Sequence, residues 1–168
     1  MGLFKATCRY SLTVLFIALI SSTVAYSQDS KEERIAAQAA AVKSLIESKN
    51  YVFVPTSVSP QSGRTRQLTS SYFLKISKDT VVSDLPYFGR AYVAPINSSD
   101  AGINFTSTEF DYTETLGKKG AWNITIKLKD QTQAREMNLT IFSNGRTDLI
   151  VSSNNRQSIS FSGDIKAK

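Results

Sequence analysis

Hydrophobic residues recur with two different periods along this chain, and the period changes at Asn50. Before that residue, the segment SKEERIAAQAAAVKSLIESKN spaces its apolar residues as one face of a helix does. This spacing predicts one amphipathic helix over about residues 30–49. Ser30 as N-cap, with Glu33 three residues later, would form a capping box. The predicted apolar stripe consists of Ile35, Ala39, Val42, Leu45 and Ile46.

After Asn50, apolar and polar residues alternate with a period of two almost to the end of the chain. The segments AWNITIKLK, REMNLTIF, TDLIVSS and QSISFSG show this alternation most clearly. In the first of them Trp122, Ile124, Ile126 and Leu128 would share one face. One buried face and one wet face are typical of antiparallel sheet, which we predict over about residues 51–165.

The connections between these segments predict tight hairpins. Asn144-Gly145 favours a two-residue type I′ turn, in which both central residues have positive φ. GKKG at 117–120 and SNNR at 153–156 are also typical of turns. From Glu109 onward we therefore expect an up-and-down meander of about five strands. In YVFVPTSV, Pro55 places the strand at a sheet edge or bends it there.

These elements predict a mainly β protein of the α+β class. Counting the segments before Glu109, the chain offers about eight to ten strands and one helix. A sheet of that size normally closes or folds over to remove its edges. We therefore expect the helix to pack on a strongly curved antiparallel meander that forms a partly or fully closed barrel. A two-layer β-sandwich is the alternative.

Residues 1–27 have the pattern of a signal peptide. Lys5 and Arg9 precede a short apolar run, and small residues follow it, so that cleavage is expected after Ser27. An uncleaved membrane anchor is the alternative. Residues 28–168 would then form a single domain that is not membrane-spanning. The expected location is the periplasm or the envelope, or the medium after secretion.

Composition limits the chemistry available to the mature chain. The chain has no histidine, and its one cysteine, Cys8, lies in the predicted signal peptide. The commonest nucleophile–base pairs and most transition-metal sites are therefore excluded. We expect no enzymatic activity, no cofactor and no metal. Glu109 and Asp111, two apart on one strand, leave a carboxylate-dependent hydrolase as a minor alternative.

The net charge does not point to nucleic acid. Of the 20 basic residues two lie in the predicted leader, which leaves 18 against 14 acidic residues and a net charge of +4. The basic residues are spread along the chain, whereas a nucleic-acid surface would concentrate them on one element. We predict no nucleic-acid partner.

The segment SDLPYFGRAYVAP, residues 83–95, has the strongest local concentration of aromatic residues. Pro86 favours a bend and Gly89 allows close backbone approach. Large rings with polar tips serve both cores and ligand rims. The segment is therefore either a packed corner, with Arg90 held by Asp84 or by carbonyl groups, or the rim of a ligand pocket. In the second case the ligand-binding residues would be Tyr87, Phe88, Arg90, Tyr92 and Trp122.

Several uncommon pieces occur in order along the chain: LPYFGRAYVAP, GINF, KKGAWNI and SSNNRQSISFSGDI. In these the chain resembles an uncharacterised family of exported proteins from Bacteroides-type bacteria, catalogued as a domain of unknown function. The resemblance covers Tyr51 to Ile165, with the helix as a usual preface. It implies a Gram-negative periplasmic or envelope setting and assigns no activity. In that setting the triplet DTV also resembles an O-glycosylation acceptor, with Thr80 as the modified residue.

Two functions from different classes follow. The first is a non-catalytic binding module for a small hydrophobic or glycan-like ligand, held in the interior or at the mouth of the curved sheet. The second is a structural or protein-partner-binding envelope protein with a packed interior. A cavity that could hold a ligand would count against the second.

Overall fold

A computed structural model of the chain describes residues 31–92, 102–131 and 133–168. The predicted signal peptide and Ser30 lie outside these residues. The chain divides into two compact units, Met1–Ala37 and Gln38–Lys168. In the first unit the described residues, 31–37, are helical. The second unit contains the rest of the helix and the whole sheet.

The helix, α1, covers residues 31–48 of the described chain. It ends where Lys49 adopts a left-handed conformation (φ 50°) and donates its backbone N–H to the carbonyl of Ile46 at 3.0 Å. Val42 and Ile46 are buried in the core of the second unit. The predicted stripe is wrong at its first residue, because Ile35 is 56% exposed. Helical periodicity thus located the helix but not the extent of its buried face. Within the described residues, no helix combines the length and the apolar character that a membrane crossing requires.

In the part of the chain that the structure describes, ten strands follow the helix, and every paired neighbour is antiparallel. They are β1 (Tyr51–Pro60), β2 (Arg66–Gln67), β3 (Phe73–Ile76), β4 (Val81–Leu85), β5 (Ile103–Ser107), β6 (Phe110–Leu116), β7 (Trp122–Leu128), β8 (Glu136–Ile141), β9 (Arg146–Ser152) and β10 (Ile159–Ala167).

The strands form one nearly closed, barrel-shaped sheet. The order is β5-β4-β3-β1-β10-β9-β8-β7-β6, and the short β2 pairs with β1 beside this path. The predicted fold class is confirmed, and so is the five-stranded meander, which runs from β6 to β10. The barrel replaces the alternative of a sandwich.

Side chains fill the interior of the barrel. The alternation read from the sequence is confirmed on β7 to β10, where the apolar set points inward and is buried, apart from the partly buried Trp122. The largest fully buried side chains come from α1 and from strands on both sides of the barrel: Ile46, Tyr51, Phe53, Leu74, Ile76, Leu85, Ile103, Ile124, Ile126, Met137, Leu139 and Phe161.

Strand β1 is central, although the sequence favoured an edge or a bend at Pro55. It lies between β10 and β3. On the β3 side Pro55 falls between two separate pairings, of residues 51–53 with β3 and of residues 57–58 with β2. On the β10 side the register shifts after Pro55, which leaves Thr56 as the extra residue of a bulge. Because a proline lacks the N–H that a ladder uses, this gap accommodates it inside the sheet.

The hairpin predicted at Asn144-Gly145 is present, but its turn type was predicted wrongly. Phe142 and Arg146 pair through a 2.8 Å hydrogen bond, and Gly145 N–H donates to the carbonyl of Phe142 at 2.9 Å. Gly145 has φ 83°, whereas Asn144 does not have positive φ. The loop therefore contains three residues and ends in a left-handed glycine, instead of the two-residue type I′ turn.

The two terminal strands of the sheet, β5 and β6, are consecutive in sequence and do not pair with each other. Side chains of the β7–β8 loop close part of this seam. Asn104 N–H donates to Gln133 Oε1 at 2.8 Å, and Gln131 Nε2 donates to the carbonyl of Thr106 at 2.9 Å. The two glutamines thus occupy backbone groups of β5 that a neighbouring strand would otherwise use.

Asp130 holds the chain between β5 and β6. Its carboxylate accepts hydrogen bonds from Ser107 Oγ at 2.5 Å and from the backbone N–H of Thr108 at 3.0 Å. These bonds, that from Ser107 above all, lower the pKa of Asp130. The carboxylate thus ties the start of β6 to the β7–β8 loop, so that the seam opens only beyond this point.

Candidate functional site

The aromatic segment after β4 forms a corner that is bound to the β9–β10 loop. Tyr87 Oη lies 2.9 Å from the carbonyl oxygen of Arg90 and 3.0 Å from that of Gln157, so its hydroxyl donates one hydrogen bond that the two carbonyls share. Gln157 N–H donates to the same carbonyl of Arg90 at 3.0 Å, and Tyr92 N–H donates to the carbonyl of Asn155 at 2.9 Å. These bonds fix the corner through its backbone. Residues 93–95 of the segment lie outside the described chain.

Three large side chains in the described part of this corner are exposed. Phe88 is 40% exposed and Tyr92 is 69% exposed, and the side chain of Arg90 is exposed as well. Among the described residues the ion pairs are Lys43–Glu47 and Lys129–Asp111, so the predicted pairing of Arg90 with Asp84 is not formed there. The corner therefore combines a packed base with an exposed aromatic rim.

Two arginines that the sequence did not single out contact these rings. The guanidinium of Arg66 lies 5.0 Å from the ring centroid of Phe88, and that of Arg156 lies 5.1 Å from that of Tyr87. Arg156 Nη1 also donates to the carbonyl of Gly102 at 2.7 Å. Both distances fall within cation–π range. Only the fold brings these cations to the aromatic segment, since β2 and the β9–β10 loop are distant from it in sequence.

The structure does not bring Trp122 to this corner. Trp122 pairs with Ile141, Ile141 pairs with Thr147, and Thr147 pairs with Gly163. These paired residues lie side by side across the sheet, at the level of the start of β9. The aromatic corner instead contacts the loop that follows the end of β9. Five residues separate Thr147 from the end of β9, a distance of about 17 Å along a strand. The predicted set of five ligand residues is therefore divided between two ends of the barrel.

The outer face of the sheet has a groove of about 610 Å³, which we call the outer groove. Polar side chains on its floor are linked to one another. Ser162 Oγ donates to Asp148 Oδ1 at 2.7 Å, and Thr56 Oγ1 donates to the carbonyl of Ser162 at 3.1 Å. Charged residues of both signs complete the lining, which consists of Thr56, Ser57, Gln67, Phe142, Ser143, Asn144, Arg146, Thr147, Asp148, Ser162, Gly163 and Asp164.

Phe142 lies at one end of the outer groove and is 41% exposed. It also lines a second, more apolar concavity of about 760 Å³ beside the β6–β7 turn. A signal for this residue exists in the sequence. In the segment REMNLTIF, Phe142 follows the inward-facing Ile141, so it is an apolar residue at a polar position of the alternation.

A pair of tyrosines crosses the interior near the end of α1. Tyr51 Oη lies 3.3 Å from Tyr112 Oη, and the ammonium group of Lys49 lies 4.7 Å from the ring centroid of Tyr112. Burial, and next the neighbouring Tyr112, raises the pKa of Tyr51. Burial also raises the pKa of Tyr112, to about 12. Both hydroxyls are therefore held in their protonated form by the fold.

This pair predicts a loss of stability at alkaline pH. Above pH 10 the unfolded chain releases both protons while the folded chain keeps them, so the free energy of unfolding falls as pH rises. For Tyr51 alone the expected slope is about 1.4 kcal/mol per pH unit. Denaturant unfolding between pH 8 and pH 12 measures it, and Tyr51→Phe should make the curve shallower by that amount. Tyr92→Phe is the control, because its exposed hydroxyl is solvated in both states. An unchanged slope in Tyr51→Phe would contradict the prediction.

The carboxylates considered for hydrolysis lie on the surface. Asp111 Oδ1 accepts a 2.7 Å hydrogen bond from Lys129 Nζ, and both side chains are more than half exposed. Glu109 is also exposed. Thr80 lies in the β3–β4 turn, where its carbonyl accepts from Ser77 N–H at 2.9 Å. Within the residues that the structure describes, no three acidic or metal-ligating side chains come together in a way that could hold a metal ion.

Comparison with known proteins gives the family and the fold. No curated protein matches this chain. A crystal structure of a DUF4251 family protein from Bacteroides eggerthii DSM 20697 is similar, with a TM-score of 0.57 and 14% sequence identity, over 79% of this chain and 89% of that one. The model of the DUF4251 family, a domain of unknown function, matches residues 33–165. The chain therefore belongs to the DUF4251 family.

Proposed function

We propose that this protein is an exported, non-catalytic binding module of the Gram-negative envelope and that a glycan-like ligand occupies the outer groove. The observation that carries the proposal is the groove itself, a concavity of about 610 Å³ with linked polar groups and an exposed aromatic ring. Export is supported by the charged and apolar pattern of residues 1–27 and by the exported setting of the family that the chain resembles.

The lining of the groove suits a sugar better than an apolar molecule. Sugar hydroxyls both donate and accept hydrogen bonds, and the groove offers acceptors on Asp148 and Asp164 beside a cation on Arg146. The ring of Phe142 adds an apolar surface at one end, against which the C–H face of a sugar can pack. A small number of placed polar groups beside an aromatic side chain is typical of ligand sites.

The filled interior of the barrel also bears on the choice of ligand. The inward-facing positions carry large side chains such as Phe53, Met137 and Phe161, which are no more than 1% exposed. A hydrophobic ligand held inside the barrel would have to displace them. The outer groove needs no such rearrangement, and this favours the glycan-like ligand over the small hydrophobic one.

Binding of short oligosaccharides, including N-acetylated chains, tests the proposal by isothermal titration calorimetry. Phe142→Ala should weaken binding about tenfold, which corresponds to about 1.4 kcal/mol. Phe88→Ala is the matched control, because it removes an equally exposed ring at the corner after β4. If Phe88→Ala weakens binding and Phe142→Ala does not, the corner is the site. If no oligosaccharide binds, the glycan proposal fails.

Two observations favour a second function, that of a partner-binding envelope protein. The interior is packed, as that function requires, and among the described residues β6 has no strand paired to its outer edge. The carboxylate-dependent hydrolase has less support, because Asp111 is tied to Lys129 on the surface and Glu109 is exposed.

A further inference from the structure

Within residues 31–92, 102–131 and 133–168, β6 is the last strand of the sheet and pairs only with β7. The hydrogen bonds at its two ends show which backbone groups face β7. Gly117 N–H donates to the carbonyl of Ala121, and Lys129 N–H donates to that of Glu109. Since hydrogen-bonded pairs alternate in an antiparallel ladder, the odd-numbered residues of β6 bond to β7. The N–H and C=O groups of Tyr112, Glu114 and Leu116 therefore point to the open edge.

The far half of this edge is accessible. Residues 113–116 are all exposed, and Leu116 is 69% exposed. Among the described residues, no backbone hydrogen bond outside the ladder involves Tyr112, Glu114 or Leu116. Natural sheets usually cover or interrupt such an edge, because it is a template for another strand. On the opposite side of the seam, Gln131 and Gln133 do cover β5.

We propose that β6 pairs antiparallel with β6 of a second copy of this chain, about a two-fold axis at Thr113. This register places Tyr112 opposite Glu114 of the second copy and Phe110 opposite Leu116. Thr113 then faces Thr113 of the second copy. The interface is isologous, as in most homodimers. It extends the sheet by strand addition and uses other residues than the outer groove, so it does not rest on the proposed glycan site.

Charge and apolar matching select this register. The free N–H and C=O groups belong to the even-numbered residues of β6. The two copies can therefore hydrogen-bond only in registers that place even-numbered residues opposite even-numbered residues. A shift by two residues in one direction would put Glu114 opposite Glu114 of the second copy, and like charges directly opposite are destabilising. A shift by two residues in the other direction would put the charged Glu114 opposite the apolar Phe110 and would leave Leu116 without an apolar partner on β6. In the proposed register that carboxylate instead approaches Tyr112, over whose ring the ammonium group of Lys49 lies. The exposed Leu116 meets the half-buried Phe110.

A single introduced cysteine tests both the dimer and its register. The full chain carrying Cys8→Ser has no other thiol. In this background Thr113→Cys should form an interchain disulfide under copper phenanthroline, because residues facing each other in a non-hydrogen-bonded pair have Cα atoms about 4.5 Å apart. Thr115→Cys is the matched control. Its two copies would lie about 13 Å apart, and it should not cross-link.

Sedimentation equilibrium supplies the second measurement. We expect a dimer at tens of micromolar chain for the unmodified protein, and a monomer for Glu114→Pro, which removes a free edge N–H without breaking the β6–β7 ladder. If that variant does not fold, Leu116→Lys should abolish the dimer, while Ile150→Lys, on the outer face of β9, should leave it intact. A monomer in the unmodified protein would overturn the proposal. So would equal cross-linking at residues 113 and 115, or a dimer that survives Leu116→Lys.

Discussion

Replacing Gly163 by alanine is expected to destabilise the barrel by about 3 kcal/mol or more, because the new methyl group meets backbone. A Cβ at this position would lie 2.7 Å from Pro55 Cα and would also overlap the carbonyl of Val54. Neither atom can rotate away as a side chain does. Strands β1 and β10 would have to separate beside the bulge at Thr56, where the ladder already shifts register.

Denaturant unfolding at neutral pH measures this loss, and Gly120→Ala is its control. Gly120 has φ 72°, so alanine there is conformationally strained, but no atom lies within 4 Å of the added Cβ. We expect a cost of about 1 to 2 kcal/mol for that variant. The comparison separates backbone contact from backbone conformation. If Gly163→Ala costs no more than Gly120→Ala, the close approach of β1 and β10 does not require glycine.

The second large effect is expected from Ile46→Ala on α1. Ile46 is fully buried in the core of the unit that contains the sheet. Truncation removes apolar contacts and leaves a cavity, which for a buried isoleucine costs about 2–5 kcal/mol. The free energy of unfolding from urea titration, followed by circular dichroism, gives the value.

Ile35→Ala provides the matched control for Ile46→Ala. Both residues are isoleucines of the same helix, but Ile35 is 56% exposed. Its replacement should change the free energy of unfolding by less than about 0.5 kcal/mol, because alanine is a strong helix former and little apolar surface is uncovered. Equal losses from the two variants would show that burial of Ile46 does not anchor the helix.

The contrast between these isoleucines shows how far periodicity can predict burial. Ile35 and Ile46 both fit the helical stripe, and the pattern gives them equal weight. Burial depends on which turns of the helix meet the sheet, and that is decided by chain segments far away in sequence. The tyrosine pair has the same origin, since Tyr51 and Tyr112 belong to strands that meet only across the barrel interior.

The candidate sites were less predictable than the fold. The sequence indicated an aromatic corner, and the structure locates its bonds to the β9–β10 loop. The outer groove depends on register: Asp148 lies beside Ser162, and Arg146 beside Asp164, because β9 and β10 pair with that alignment. A shift of the β9–β10 register by two residues would keep every side chain on its face of the sheet. It would still separate the residues that line the outer groove.

By itself, the sequence determined the helix, the antiparallel meander, the inward-facing residues of β7 to β10 and the position of the short hairpin loop at Asn144-Gly145, whereas the β7–β8 and β9–β10 connections are longer than tight hairpins. These follow from local periodicity and from the conformational limits of single residues, which each short segment carries with it. Only the tertiary structure decided that β1 is central, that Trp122 lies away from the aromatic corner, and that β6 is a terminal strand of the sheet in the described residues. Each of these depends on pairing between distant segments, where register and closure of the whole sheet select the neighbours.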